Sequence, residues 1–591
     1  MRIVLILVLL AGGLRGLADE KRQENRSPDG RRKAEEEVRK RIDEAVAKAV
    51  KWLLKNQKKD GSFEGTYNGS YPQGYTALGL LALAKAGLGA EHKAVKAAYS
   101  YMIKQPLNRV YSVALALMAV EALYAPDEKE ALRRCKPYRT VVRGLVRRNM
   151  PATLNRWVRD AVAFLVKAQG VRGIWSYSAA TSGSGDLSNS QYALLGLYAA
   201  RNMGFKVPTE PFKRAADFLV KAQDEKGPEV KWFPVPAADF SMSQLKRLEQ
   251  EFYRRLRGTP EAERAKMRTT VIEDPYSRFG PEHHKMSARG WTYRWTADTD
   301  PKRKTSRYNT GSMTSAGIGC LVICKAAMEG GADWRRRRAA VNKAIRDGCA
   351  WLAKHFSVTG NPSDRGGTSS GHHFYYLYGL ERAGVLALVQ SFGKHAWYAK
   401  GVQYLLAHQD AKGYWGRGEY TTTVNKKRTV RTNICDTCFA ILFLKRGTVP
   451  VAGGLQKEVV TTGSGIFGEE KPTGGLGLVV EKTDSGVAVK EVKSGSPAAG
   501  ANLRPGDIIR GFSGRVVHSV QQFHDLEKIY VEDADTTYVV LIVERGDLIF
   551  QTVIRLRKKE ASAAPQRKPA DKAKDDGGGG EKEKEKEKPK K

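Results

Sequence analysis

Residues 45–87 read AVAKAVKWLLKNQKKDGSFEGTYNGSYPQGYTALGLLALAKAG. Two helices are written there, joined by a turn. In the first, Ile42, Ala45, Val46, Ala49, Leu53 and Gln57 fall on one face, with Lys and Glu on the other. The turn Lys59-Asp60-Gly61-Ser62-Phe63 sets an aromatic just after Asp-Gly. In the second helix, from about Gly74, Tyr75, Leu78, Leu80, Leu81 and Leu83 leave no polar face, which marks a helix buried all round. Alternation of half-buried and fully buried helices is the mark of two concentric layers.

The pattern recurs along the chain. Amphipathic helices are expected near 34–57, 91–104, 156–169, 212–224, 336–356 and 394–409, and apolar ones near 74–88, 109–124, 189–203, 312–329, 372–387 and 433–446. The glutamine returns as Gln169 before Gly173-Ile174-Trp175, as Gln223, and as Gln409 before Gly413-Tyr414-Trp415. One helical hairpin cannot bury both its faces, so repeated hairpins need neighbours, and six suffice to close a ring. One hairpin is interrupted by an insertion at about 239–289. Its Leu245, Leu248, Phe252, Tyr253 and Leu256 read as a further amphipathic helix, and the aromatic turn comes late as Gly290-Trp291-Thr292-Tyr293.

A helix ending in Gln, then Asp-Gly-x-aromatic, then an inner helix resembles the repeat of the prenyltransferase, squalene-cyclase and terpenoid-cyclase α/α-toroids. The resemblance covers residues 34–447. It implies a mainly α protein, an α6/α6 toroid of six helical hairpins. It does not carry the chemistry with it. Cyclases that protonate a polyene use an Asp-x-Asp-Asp motif, whose central Asp needs a raised pKa. That motif is absent; Asp298-Thr299-Asp300 lies in the insertion and Asp533-Ala534-Asp535 near the C-terminal end. Protein prenyltransferases hold zinc with Asp, Cys and His. Cys435-Asp436-Thr437-Cys438 with His372 or His373 offers those ligand types at a different spacing. No cofactor is required by the sequence, and zinc at Cys435, Cys438 and His372 stands as the alternative to packing residues or a small disulfide.

In such a ring every inner helix starts at the same end. The free N–H groups and positive dipole ends then gather in one mouth, suited to an anion or a polarised ligand. Tyr75, Tyr111, Asn189, Gln191, Trp291, Thr314, His373 and Asp436 are the candidate cavity residues; the other reading makes the polar ones helix caps and the tryptophans packing. His372, His373, Asp436 and Tyr293 are the catalytic candidates if the mouth is an active site. A lyase of acidic polysaccharide would use Arg against the uronate and His or Tyr for the proton. Arg109 and Arg431 beside His372-His373-Phe374-Tyr375-Tyr376 fit that class.

The formal net charge of +37 is spread over the chain and favours an anionic partner or a solvated basic surface. Arg2, the apolar run Ile3–Leu10 and Gly16-Leu17-Ala18 read as a secretory leader over 1–18, too short for a bilayer span. An exported protein, periplasmic or secreted, is expected, with a lipid, isoprenoid or acidic polysaccharide as ligand and no specific nucleic acid. Six cysteines in 591 residues are no disulfide framework. Residues 19–33 read as a flexible segment.

After Arg446 the composition changes. A linker over 448–471 leads to 472–558, where Gly475-Leu476-Gly477-Leu478 and Arg504-Pro505-Gly506-Asp507-Ile508-Ile509 resemble a bacterial PDZ domain. The resemblance implies that amides of Leu476, Gly477 and Leu478 hold a terminal carboxylate. A peptide would add as a strand beside Leu478, Val479 and Val480, against a helix beginning at Val520. The Lys/Glu/Pro/Gly composition of 559–591 cannot bury a core and reads as disordered. Together these features predict a binding or scaffold protein: a toroid holding an apolar or anionic ligand and a PDZ-like part holding a protein C-terminus or extended peptide. An enzyme on anionic polysaccharide is the alternative, and a terpenoid cyclase or prenyltransferase a further one.

Overall fold

The computed structural model describes residues 28–556 apart from 66–70, 125–130, 132, 180–184, 261–284, 296–307, 332, 425–426, 452–474, 485, 495, 502, 514, 533–537 and 547. The expected leader, most of the linker, the tail and the Asp-x-Asp at 298–300 lie outside the described residues.

Six helices form the inner layer: α2 (Pro72–Lys85), α4 (Val110–Tyr124), α7 (Leu187–Met203), α11 (Gly311–Met328), α13 (His373–Ala387) and α15 (Cys435–Leu444). Each packs on the next in that order, and α15 packs back on α2, which closes the ring. Their apolarity follows from this position. Helix α11 is long and apolar enough to cross a membrane, yet 89% of it is buried inside the protein. The outer layer is α1 (Pro28–Lys55), α3 (Lys93–Ile103), α6 (Ala152–Lys167), α8 (Glu210–Ala222), α12 (Trp334–Lys354) and α14 (Trp397–Ala407). Helix α1 starts six residues before the expected helix, with Pro28 in its first turn, where a missing N–H costs nothing.

The glutamine turn is the joint between neighbouring outer helices. Gln57 Nε2 donates to Gly61 O (3.0 Å) in its own turn and to Ala94 O (2.9 Å) at the start of α3. Gln169 does the same with Gly173 O and Pro211 O, each at 2.9 Å. The turn glycine must be glycine for two reasons. Gly61 has φ 88°, and a Cβ there would stand 2.3 Å from Ala97 O. The aromatic after it packs inward. Trp175, Trp291 and Trp415 are fully buried and donate Nε1–H to Leu165 O (2.7 Å), Leu219 O (2.9 Å) and Leu405 O (2.8 Å). Their own backbone N–H groups donate to hydroxyls on the inner helix: Ser190, Thr314 and Thr437.

Ring closure reuses this joint across the whole chain. Gln409 Nε2 donates to Gly413 O (2.9 Å) and to Ala45 O of α1 (2.8 Å). Helix α1 thus fills the outer place beside the last inner helix. The insertion leaves the joint intact as well: Gln223 Nε2 donates to Arg289 O and Ala344 O, both at 3.0 Å, so Arg289 stands where the turn residue stands elsewhere.

Among the described residues, three further helices pack on the ring without belonging to its hairpins. α5 (Tyr138–Asn149), which the sequence pattern did not announce, packs on α4 and α7. The insertion contributes α9 (Pro236–Asp239) and the expected amphipathic helix, α10 (Met242–Gly258), started by a capping box of Ser241 and Gln244. Buried Lys325 on α11 holds α9 down, donating to Ala237 O (2.8 Å) and Phe240 O (2.7 Å).

Among the described residues, short two-stranded pieces lie in the ring: β1 (Gly185–Asp186) with β4 (Arg294–Trp295), β2 (Glu229–Lys231) with β3 (Lys285–Ser287), β5 (Asn361–Pro362) with β6 (Thr368–Ser369), and β7 (Glu419–Val424) with β8 (Lys427–Thr432). The C-terminal unit has the strands β9 (Leu478–Thr483), β10 (Gly486–Val492), β11 (Ile508–Phe512), β12 (Arg515–Val516), β13 (Tyr538–Arg545) and β14 (Leu548–Arg555), with helix α16 (Val520–Glu532). They form one antiparallel sheet in the order β14-β13-β11-β10-β9, with β12 beside β11. Its own core, among others Leu476, Val487, Ile509, Phe512, Phe523 and Val543, explains why it stands as a separate unit.

Candidate functional site

The inner helices start at one mouth of the ring. On one side of it Asp186 caps α7, accepting from Asn189 N–H (2.7 Å) and Asn189 Nδ2 (2.9 Å). Burial pushes the Asp186 carboxyl up, while the bonds from Asn189 and the charge of Arg294 pull it back. Above it, the Tyr177 and Tyr293 hydroxyls meet at 2.8 Å. Arg294 lies over the Tyr293 ring (5.6 Å) and Arg109 over the Tyr71 ring (5.8 Å). Burial raises Tyr293 well above the usual phenol range. Across the mouth, exposed His372 starts α13 in the left-handed region, φ 58°. Asp436 accepts from Arg417 N–H (3.0 Å) and is raised by burial, with Arg417 and His372 opposing.

Below the mouth lies an aromatic floor around one cation. Arg382, 2% exposed, lies 4.1 Å over the Tyr378 ring and 5.2 Å over the Tyr192 ring. Its Nη2 donates to Gln191 Oε1 (3.0 Å) and its Nη1 to the Tyr192 hydroxyl (3.4 Å). Among the described residues no carboxylate forms an ion pair with it; ring faces and an amide carry the charge instead. Gln191 Nε2 in turn donates to the Tyr375 hydroxyl, which meets Ser188 Oγ at 2.9 Å. Tyr111 packs on Tyr192 at 4.0 Å, and Phe439 lies between Tyr375 and Tyr378.

Of the sequence-derived candidates, Tyr111, Asn189, Gln191, Tyr293, His372 and Asp436 do come to the mouth or its floor. Tyr75 is partly buried and closely packed on Gly65. Three others are elsewhere. His373 points away from the ring centre: its Nε2 meets Val358 O at 2.8 Å, its ring packs on Tyr404 (5.0 Å), and burial lowers its pKa. Two adjacent residues on a helix cannot face the same way, and His372 has the mouth. Trp291 and Thr314 belong to the glutamine joint. Cys435 and Cys438 are thiols not joined in a disulfide, the second fully buried and raised by burial. Among the described residues no three His, Cys, Asp or Glu side chains gather to hold a metal, so Cys435, Cys438 and His372 form no ligand set. Arg382 and Asp186 were missed. Arg382 had a signal: Glu381 and Arg382 are the charges in an otherwise apolar inner helix.

The other mouth is sealed by the chain leaving the ring. Thr448 donates its N–H (3.2 Å) and hydroxyl (2.6 Å) to fully buried Glu381. Tyr198 donates to Pro450 O (3.1 Å) and accepts from Arg139 (2.6 Å). A cavity of about 20 Å³ remains between Glu121, Tyr198, Thr448 and Val449. Burial pushes both Glu381 and Glu121 up to about 7.

In the C-terminal unit β9 is the edge strand, and α16 packs alongside it. Leu476, Leu478 and Val480 point into the core, so what β9 offers a partner is main chain. Gly475 and Gly477, at φ 78° and 75°, bend the preceding loop. Val520 opens α16 and is partly buried against this core.

Residues 474–553 match the family model of the PDZ domain. No curated protein matches the chain. Similar solved structures include a substituted form of the type II terpene cyclase MstE from Scytonema in complex with geranylgeranyl dihydroxybenzoate. It shares 12% identity at a TM-score of 0.36, over 69% of this chain and 98% of that one. Another is an inactive variant of the α-1,6-mannanase GH76A of Salegentibacter sp. HEL1_6 in complex with α-1,6-mannotriose, with 8% identity and a TM-score of 0.38, over 69% and 98%. At these values neither lends this chain an activity, and the ring stands on its own contacts.

Proposed function

We propose that the chain is an exported binding protein, whose PDZ domain holds an extended peptide while the ring presents its turn-side mouth to an anionic ligand. The observation that carries the reading is β9, an edge strand with a helix beside it and a glycine-bent loop before it. Such an edge binds by adding one more strand, with main-chain bonds supplying affinity. Export is supported by the leader-like residues 1–18. The anionic ligand is supported by Arg382, a buried cation without a carboxylate partner among the described residues, beneath a mouth where six helix N-termini converge.

The test pans a phage-displayed library of extended peptides against the full chain. Strand-forming sequences should be enriched, and Val480→Pro, which removes an N–H from the edge strand, should abolish their binding. Enrichment that survives in Val480→Pro overturns the groove. A second reading is favoured by one observation. Asp186 and Asp436 are two carboxyls raised by burial at the same mouth, and an upward shift is what general acid–base work asks of a carboxyl. An enzyme on acidic polysaccharide would release unsaturated or reducing ends from uronate polymers, and Asp186→Asn would stop it. Absence of turnover overturns this second reading.

A further inference from the structure

The loop that would receive a ligand's carboxylate already holds one. Leu476 N–H donates to Glu527 Oε1 at 2.9 Å. The same oxygen lies 3.6 Å from where a Cβ on Gly475 would stand. The other oxygen, Oε2, faces His524 Nδ1 at 3.4 Å. The Glu527 side chain is only 16% exposed, so this carboxylate is packed into the site rather than waving in solvent. A loop bent by left-handed glycines turns its amides inward and makes a concavity for an anion. Here that anion is part of the domain. A second carboxylate in the same place would meet a like charge and lose a donor.

We infer that Glu527 closes the PDZ groove to free C-termini. The occupant is then an internal extended segment of a partner protein that runs past the loop. The inference rests on the reading of β9 as a peptide edge. Charge complementarity names one feature of the segment: a Lys or Arg placed opposite Glu527, able to form a charge-assisted hydrogen bond with it. Strand pairing along β9 asks for residues that favour an extended chain on either side.

The test uses the full chain on an array of strand-forming decapeptides. Each is printed with a free and with an amidated C-terminus, and with Lys or Glu at each internal position. For the unaltered chain, acid and amide forms should bind within about twofold. Lys should be preferred over Glu at one internal position by about tenfold, the size of one charge-assisted hydrogen bond. Glu527→Gln keeps the side chain's shape and removes its charge. It should lose the lysine preference and favour free acids by about tenfold, with Glu527→Ala behaving alike. A tenfold preference of the unaltered chain for free acids overturns the inference and leaves the groove standing. An array silent in every form overturns both.

Discussion

Where the inner helices begin, Tyr177 is half exposed, His372 is open to solvent, and two raised carboxyls lie within the mouth. Where the same helices end, residues 447–451 cross the opening, and buried Glu381 and Glu121 are met by Thr448 and Asn202. One set of helices thus has two ends treated in opposite ways. The difference teaches where to look for function. Polar groups at the sealed end are consumed by the chain. Those at the open end are placed by caps and ring stacking, with their outward faces left for something else. Between them stands Arg382 in its tyrosine floor.

The comparison holds only while the wall of the ring holds. Trp415 is fully buried, its Nε1–H bonded to Leu405 O, at the joint that closes the last hairpin on the first helix. Trp415→Ala should cost about 3–5 kcal/mol by the cavity it leaves, read from denaturant unfolding, and should loosen both mouths together. A loss below about 0.5 kcal/mol, the size of a surface change, would mean that closure does not run through the joint.

Much of this wall was legible beforehand, because it is written in periodic apolarity and repeated at Gln57, Gln169, Gln223 and Gln409. The inner helices lie where the apolar runs put them, within three residues at their ends, as boundaries generally do. Helix α5 escaped because Tyr138, Val141, Val142 and Val146 sit among four arginines, Arg139, Arg143, Arg147 and Arg148, and no glutamine turn announces it. The site was harder. Sequence order cannot say which of His372 and His373 faces the mouth, since that depends on where α13 begins. Nor can it say that Tyr192, Tyr375 and Tyr378, from two helices, meet around Arg382. Asp186 caps α7 just ahead of the residues the apolar pattern picked out, and its burial is a property of the ring.

The sealed end can be probed through its acid. Glu381 titrates at about 7 in the folded protein, against roughly 4.3 in an unfolded chain. As pH rises the unfolded chain gives up this proton first, so the folded state is relatively weakened between these values. The group's contribution is fully present below about pH 4 and gone above about pH 7. It amounts to about 4 kcal/mol at 1.36 kcal/mol per unit. Glu381→Gln cannot titrate. Its stability relative to the unaltered protein should therefore improve by about 2.5 kcal/mol between pH 5 and pH 8, the part of the change that falls in that window, measured by denaturant unfolding at each pH. A difference that stays flat with pH would show that Glu381 is not held neutral by burial, and the seal would then rest on Tyr198 and Pro450.

The smallest effect sharpens the comparison most, because it uses both ends of one helix. α13 is preceded by His372 with φ 58° and followed by Leu388 with φ 59°, two residues in the left-handed region that glycine favours. Each position costs about 1 kcal/mol or more of backbone strain. Leu388 is 5% exposed, and its burial of about 2 kcal/mol offsets the strain. His372 is exposed and has no such offset. Leu388→Gly should therefore destabilise by about 1 kcal/mol net, while His372→Gly should stabilise by about 1 kcal/mol. Strain kept without a packing reason belongs where a side chain is needed for something other than stability. Glycine at 372 should then raise the melting temperature while weakening whatever binds at the open mouth. If His372→Gly instead lowers stability as Leu388→Gly does, the imidazole is packing, and the two ends of the ring differ less than their exposure suggests.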